Sequence, residues 1–184
     1  MWILVYTLLV VVLDQITKLA VKASFRLGDT LEIWGNFFQF TYIENEGMAF
    51  GITLGSGDGG KIFFTVFAAL ASVVILIYLY RMRHEGFYPR FSLALILGGA
   101  IGNLIDRFAY GKVIDFIDVG FDSTRWPVFN IADSAVTVGM IILITLVLFE
   151  RDKTKTAPAS PPFPAQQPAP SDEQDNWRDV QQRN

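Results

Sequence analysis

The sequence predicts an all-α membrane protein: a four-transmembrane-helix bundle with short strands outside the bundle and a disordered C-terminal tail. Three observations carry this. Apolar residues fill 52% of the 184 positions and charged ones 18%, a balance that leans away from water-soluble domains. The apolar residues gather in four blocks, Trp2–Val21, Ile62–Tyr80, Phe91–Phe108 and Ile131–Phe149. Each is close to the ~20 residues a helix needs to cross ~30 Å of hydrocarbon. Finally, six of the eight prolines fall between Pro158 and Pro170, ahead of a polar end. Buried helices of a soluble bundle are the competing reading, but four such blocks leave no polar face to meet water.

The first block has no positively charged start and no small-residue cleavage pattern behind it, so it reads as a retained helix rather than a cleaved signal peptide. Between the first two blocks, Leu31–Tyr42 is rich in Phe, Ile, Trp and Tyr, and Phe38, Phe40 and Tyr42 alternate with Gln39 and Thr41. That pattern favours short strands. Gly55-Ser56-Gly57-Asp58-Gly59-Gly60 then reads as a flexible turn. The loop Arg81–Arg90 carries three arginines, and Arg151, Lys153 and Lys155 follow the fourth block. By the positive-inside rule both lie in the cytoplasm, which puts Ser24–Lys61 and Ala109–Asn130 outside. The second outer segment is too irregular to assign. A membrane domain over residues 1–150 and a cytoplasmic tail over 151–184 are expected.

The chain has no cysteine and one histidine, His84, which lies between basic residues in a cytoplasmic loop. Disulfides, thiolate metal sites and a cysteine nucleophile are thereby excluded. No metal or cofactor is expected, and no basic cluster suggests nucleic acid.

Polar side chains within spans are costly, so each is a functional candidate. Counting ~1.5 Å per residue from the cytoplasmic side, Asp14 and Asn103 both lie ~18 Å deep, and Lys18 and Arg107 ~24 Å. The fourth helix begins outside, with Asn130 and Asp133 in its first turn. Three helices thus place polar groups in the same outer third. Asp14 and Lys18 are spaced i,i+4, as are Asn103 and Arg107, so each pair shares a helix face. Gly98-Gly99-Ala100-Ile101-Gly102 allows close helix approach. Asp106 reads as a structural partner.

Without a cysteine or a well-placed histidine, the practical chemistries are a Ser/Lys pair or two carboxylates. Ser134 has no evident lysine and points about 100° away from Asp133 around the helix. Two nearby aspartates cannot both ionise easily; the charged one can activate water while the neutral one polarises a scissile carbonyl. Asp14, Asp106, Asp115, Asp118, Asp122 and Asp133 are all candidates, and spacing alone does not choose among them.

Five blocks in order resemble the lipoprotein signal peptidase (signal peptidase II) family. They are Asp14-Gln15-Ile16-Thr17-Lys18, Asn45-Glu46-Gly47-Met48-Ala49-Phe50-Gly51, Gly98-Gly99-Ala100-Ile101-Gly102-Asn103-Leu104-Ile105-Asp106-Arg107, Val113-Ile114-Asp115-Phe116 and Phe129-Asn130-Ile131-Ala132-Asp133. The resemblance covers residues 1–150. It implies a catalytic dyad of Asp115 and Asp133, with Asn45, Gly47, Asn103, Arg107 and Asn130 around the site and Asp14 and Lys18 in support. It also implies a substrate, a prolipoprotein bearing diacylglycerol on its lipobox cysteine, cut just before that cysteine. The segment Leu31–Tyr42 resembles the family's small extracytoplasmic β-sheet, a cradle for substrate at the membrane surface. The expected setting is the bacterial inner membrane, with both termini cytoplasmic and membrane lipid around a monomer. A transporter or proton channel is the rival, but the inner helix halves, such as Ile3–Val12 and Met140–Leu148, are almost wholly apolar, which leaves no relay across the membrane.

Overall fold

The computed structural model describes residues 2–46 and 58–156. Gly47 through Gly57 and the proline-rich tail from Ala157 therefore lie outside the described residues, including the expected site residue Gly47 and the first half of the expected glycine-rich turn. Four helices, α1 (Leu4–Ser24), α2 (Asp58–Arg81), α3 (Phe87–Tyr110) and α4 (Ile131–Thr156), each contain a stretch long and apolar enough to cross a membrane. Four strands, β1 (Thr30–Trp34), β2 (Phe38–Asn45), β3 (Val113–Phe121) and β4 (Thr124–Arg125), form one antiparallel sheet in the order β1-β2-β3-β4. The chain divides into two units, Met1–Glu150 and Arg151–Asn184. The first holds every feature discussed below.

α3 is the centre of the bundle: 56% of its membrane-span window is buried, against 28% for α1, 17% for α4 and 11% for α2. It packs against both α1 and α2. On α1 the buried positions are Thr7, Val10, Asp14, Lys18 and Val21, a single stripe at helical spacing. The rest of the helix exposes Val5, Leu8, Leu9, Val12, Leu13, Ile16 and Leu19. A soluble helix would turn its apolar stripe inward. Here the stripe facing the protein holds the polar residues and the apolar majority faces out, as a lipid solvent requires.

The glycine run in α3 draws two neighbours close. A Cβ at Gly99 would collide with the Ala132 carbonyl and with Val136 of α4; one at Gly102 would sit 2.7 Å from Asp14 Oδ2 of α1 and 3.2 Å from Ala132 Cβ. The contact is thus built for packing, and it also delivers Asp14 to the first turn of α4. An apolar cluster of Ile3, Leu79, Leu93, Ala94 and Leu97 joins α1, α2 and α3. A second, formed by Val21, Tyr42, Ile114 and Phe116 with Phe25, Phe40, Ile117 and Ile131 around it, seats the sheet on α1 and α4.

The strands expected in Leu31–Tyr42 are present as β1 and β2. Two features differ from expectation. Asp58, Gly59 and Gly60 belong to α2 rather than to a turn. They form the first turn of the helix, ahead of the apolar span that begins at Ile62, and extending an existing helix by a turn is cheaper than starting one. The unassigned segment Ala109–Asn130 contains β3 and β4, and β3 is the strand that carries Asp115. Gly111, with φ of 69°, ends α3 in the left-handed conformation and turns the chain into β3.

Candidate functional site

The deepest layer is an ion cluster between α1 and α3. Lys18 Nζ lies 2.8 Å from both Asp14 Oδ2 and Asp106 Oδ2, and donates to Asn103 Oδ1 at 2.9 Å. All three charged side chains are buried to within about one percent of completely. The remaining oxygens are also used. Asp14 Oδ1 accepts the Ala132 N–H at 2.9 Å, Asp106 Oδ2 accepts the Ile114 N–H at 3.1 Å, and Asp106 Oδ1 accepts Gln15 Nε2 at 2.9 Å. One lysine therefore ties α1 and α3 to the first turn of α4 and the start of β3. Gln15 has no charge and no spacing signal, so the sequence reading did not single it out as a site residue.

Asn103 and Asn130 build the next layer. Asn103 receives Lys18 on its oxygen and donates Nδ2 to Asp133 Oδ1 at 2.7 Å. Asn130, fully buried, precedes α4 and exchanges two bonds with Asp133: the Asp133 N–H donates to Asn130 Oδ1 at 2.9 Å, and the Asn130 N–H donates to Asp133 Oδ2 at 3.3 Å. This is a capping box with Asn and Asp in place of the commoner Ser and Glu. The Asn130 amide also donates to Asp115 Oδ1 at 2.6 Å, with Asn103 Oδ1 and the Ile114 carbonyl farther off at 3.1 and 3.2 Å. A single asparagine thus bonds both Asp115 and Asp133. The second Asp115 oxygen accepts Asn45 Nδ2 from β2 at 3.1 Å.

The other four aspartates are engaged elsewhere. Asp14 and Asp106 neutralise Lys18. Asp118 is three residues from Asp115 on one strand, so the two point to opposite faces of the sheet. There Asp118 meets Arg125 Nε at 2.6 Å and Thr41 Oγ1 at 2.8 Å. Asp122 occupies an exposed turn with φ of 48° and accepts Asn36. Among the described residues, neither Asp115 nor Asp133 is in an ion pair.

A cavity of about 700 Å³ opens onto both carboxylates. Asn45 and Arg107 line it beside Asp115 and Asp133; its apolar walls are Phe64 of α2, the run Trp126-Pro127-Val128-Phe129, and Val136 and Val138 of α4. These wall residues were not among the sequence-based candidates, since nothing in an apolar residue's spacing distinguishes a wall from a lipid contact. Arg107 donates to the Asn103 carbonyl at 3.4 Å and lines the same space as Asp133 and Asp115. Burial, and then the like charge of Asp133, push the Asp115 carboxyl up to about 7, against the opposing pull of the Asn45 and Asn130 bonds and of Lys18. A carboxyl that keeps its proton near neutrality beside a second carboxyl is the arrangement acid–base hydrolysis needs.

Of the residues expected in the site, Asp14, Lys18, Asn45, Asn103, Arg107, Asp115, Asn130 and Asp133 come together in this connected set of bonds and cavity walls. Asp14 and Lys18 lie beneath it rather than in the cavity.

Comparison with known proteins places the chain. The family model for signal peptidase (SPase) II matches residues 6–149. The lipoprotein signal peptidase of Syntrophus aciditrophicus is 41% identical over 149 residues, covering 80% of this chain and 92% of that protein. The lipoprotein signal peptidase of Burkholderia mallei is 45% identical over 138 residues, covering 75% and 82%. A bacterial membrane enzyme solved by the in meso method at 2.3 Å resolution superimposes with a TM-score of 0.70 at 31% identity, covering 86% of this chain and 93% of that one. A second such structure, at 1.9 Å, gives 0.64 at 33% identity, covering 79% and 92%. With the sequence match running through all four helices and the fold shared with solved membrane enzymes, this chain belongs to the signal peptidase II family, the lipoprotein signal peptidases.

Proposed function

We propose that this chain cleaves prolipoproteins as an aspartic endopeptidase, with Asp115 and Asp133 as its catalytic dyad and diacylglyceryl-modified precursors as its substrates. One observation carries the choice of dyad: of six aspartates on this side of the bundle, these two are the pair that lines the cavity, joined by the Asn130 side chain and with no cation bonded to either among the described residues. Family membership sets aside the transporter reading.

A water held between the two carboxyls attacks the scissile carbonyl carbon. Asp133 takes the water proton while Asp115 gives its own proton to the carbonyl oxygen, forming a tetrahedral intermediate. On collapse the C–N bond breaks as Asp133 gives its proton to the departing amine and a hydroxyl of the intermediate returns a proton to Asp115, which restores the pair. Asn103 and Asn130 hold Asp133, Asn45 and Asn130 hold Asp115, and Arg107 faces substrate oxygens. The apolar cavity wall ends on α4 at exposed Thr137 and Val138, where a lipid-bearing cysteine meets the site from the bilayer. The bundle lies in the bacterial inner membrane with its termini in the cytoplasm and the dyad toward the outer face. The sheet acts as the cradle at that surface. One chain supplies every group named, so a monomer suffices.

The test uses the purified full chain in micelles with one prolipoprotein in two forms, with and without diacylglycerol on the lipobox cysteine. The modified form is expected to be cut, leaving the modified cysteine as the new N-terminus. Equal cutting of the two forms, or a product beginning elsewhere, would overturn the substrate assignment.

The pH dependence has a definite sign. Asp115 holds its proton below about 7 and loses it above, leaving no acid for the carbonyl oxygen. kcat/KM is therefore expected to fall on an alkaline limb near pH 7, measured across pH 5 to 9 with substrate well below KM, where the groups of the free protein are read. A flat kcat/KM to pH 9 would remove Asp115 as the proton donor. Stability moves the same way, because a carboxyl raised on folding favours the folded state below its unfolded value of 3.8 and loses that contribution as pH rises through about 7.

A further inference from the structure

A charged cluster outside the dyad stands where the β2–β3 ladder ends, at the pair Asn45↔Val113. Lys112 Nζ donates to Glu44 Oε2 at 3.1 Å and lies 3.3 Å from Glu46 Oε1. Glu44 and Glu46 are the two chain neighbours of Asn45. On an extended chain, neighbours two apart point to one face and the residue between them to the other. Asn45 points toward the site, where its amide donates to Asp115. One further step of the antiparallel register sets Lys112 opposite Glu46, with Glu44 on the diagonal.

The cluster is held charged. The Lys112 bond and the Tyr42 hydroxyl, which donates at 3.0 Å, keep the Glu44 carboxyl below its ordinary range. Glu44 and Glu46 hold the Lys112 ammonium above its own. Burial and the bond to Glu44 push the Tyr42 hydroxyl up to about 12, so it remains a donor throughout the neutral range. Lys112 also directly follows Gly111, the residue that ends α3 and starts the turn into β3. The ammonium therefore joins the end of β2 to the junction between the helix bearing Asn103 and Arg107 and the strand bearing Asp115.

We propose that Lys112 is a positioning residue for cleavage: by binding the carboxylates on both sides of Asn45, it holds the end of β2 so that the Asn45 amide stays on Asp115. This rests on reading Asp115 as half of the dyad. Strand ends open more readily than strand centres, and Asn45 is the last paired residue of its strand. A half-exposed ion pair adds little to global stability, so the cluster's effect is local, on the rate through Asn45.

The experiment is steady-state cleavage of a diacylglyceryl prolipoprotein by the full chain, comparing Lys112→Met, Lys112→Arg, Asn45→Ala, the Lys112→Met/Asn45→Ala double variant and Asp115→Asn. Lys112→Met is expected to lower kcat about three- to tenfold with KM and unfolding temperature little changed. Lys112→Arg is expected to recover most of that loss. In the Asn45→Ala background, Lys112→Met is expected to cost nothing more, because its route to the site is already gone. An unchanged kcat in Lys112→Met, an equal loss in the Asn45→Ala background, or a loss confined to KM would each overturn the proposal. Asp115→Asn separates the two readings. If it is inactive while Lys112→Met is unimpaired, the dyad stands and the positioning role fails; if it cuts at full rate, both fail.

Discussion

Replacing Asp133 with asparagine is expected to leave a folded, membrane-inserted protein that cuts prolipoprotein at least about a thousandfold more slowly, and Asp115→Asn the same. General acid and general base catalysis each contribute about 10²- to 10⁴-fold. Two residues of the proposed dyad would act as a unit, so the double variant should be no worse than the weaker single one. The fold should survive because asparagine keeps one acceptor oxygen. Asp133 accepts from Asn103 Nδ2 and from the Asn130 N–H, and the substituted amide retains one of these while facing the other with a donor. That mismatch costs roughly 1–3 kcal/mol, enough to lower the unfolding temperature by a few degrees but not to unfold a bundle assembled on the glycine face of α3. The measurement pairs product formation over hours with thermal unfolding in micelles. Near-normal cleavage by either variant would remove that aspartate from the reaction. Lost cleavage together with lost folding would locate the defect in the α4 cap rather than in the chemistry.

Lys18→Met should have the largest effect on stability of any single substitution in the bundle. Lys18 is buried with two carboxylates 2.8 Å away, and methionine has nearly its length without its charge. The change leaves Asp14 and Asp106 facing each other without a cation. Breaking a buried pair from one side costs about 3–5 kcal/mol; with two carboxylates left behind, the upper end of that range is expected. Most of the variant should fail to accumulate in membranes, and what is recovered should unfold at a markedly lower temperature. The companion variant Lys18→Met/Asp14→Asn/Asp106→Asn removes all three charges. It keeps oxygens that can accept the Ala132 and Ile114 N–H groups, and it should recover a substantial part of the loss, since neutral replacement of a buried ion cluster is often tolerated. A Lys18→Met protein as stable as the unmodified chain would show that the cluster does not hold α1, α3 and α4 together. Cleavage by the triple variant measures something separate: Lys18 also donates to Asn103, which donates to Asp133, so a stable triple variant with reduced kcat would reveal that second connection.

Much of this architecture was legible in the residues. Four apolar blocks set four spans because a helix must cover a fixed hydrocarbon thickness, and each observed helix contains its block nearly whole. Depth counting brought Asp14, Lys18, Asn103, Arg107, Asn130 and Asp133 to one level, since helical rise is constant. Where the backbone period is not helical, the reading weakened. Val113–Phe121 carries Asp115 and Asp118 three apart amid apolar residues on both faces, so it shows no clean alternation, and the ladder it forms with β2 shifts register between Phe40 and Ile43. Gly59 and Gly60 look like a turn by local propensity, yet they extend the apolar helix behind them by its first turn.

The sequence by itself determined the four stretches able to span a membrane, the helical spacing that gathers the polar residues, and the five family blocks from which the proposed dyad was inferred. Only the tertiary structure decided what each aspartate touches. Lys18 takes Asp14 and Asp106 because α1 and α3 meet at a glycine face. Arg125 takes Asp118 because strand parity turns it away from Asp115. Asn130 reaches both Asp115 and Asp133 because the N-terminal cap of α4 lies against β3. Spacing along a chain sets which residues share a face of one element. Which charge is neutralised, and which is left facing a cavity, depends on contacts between elements far apart in the chain.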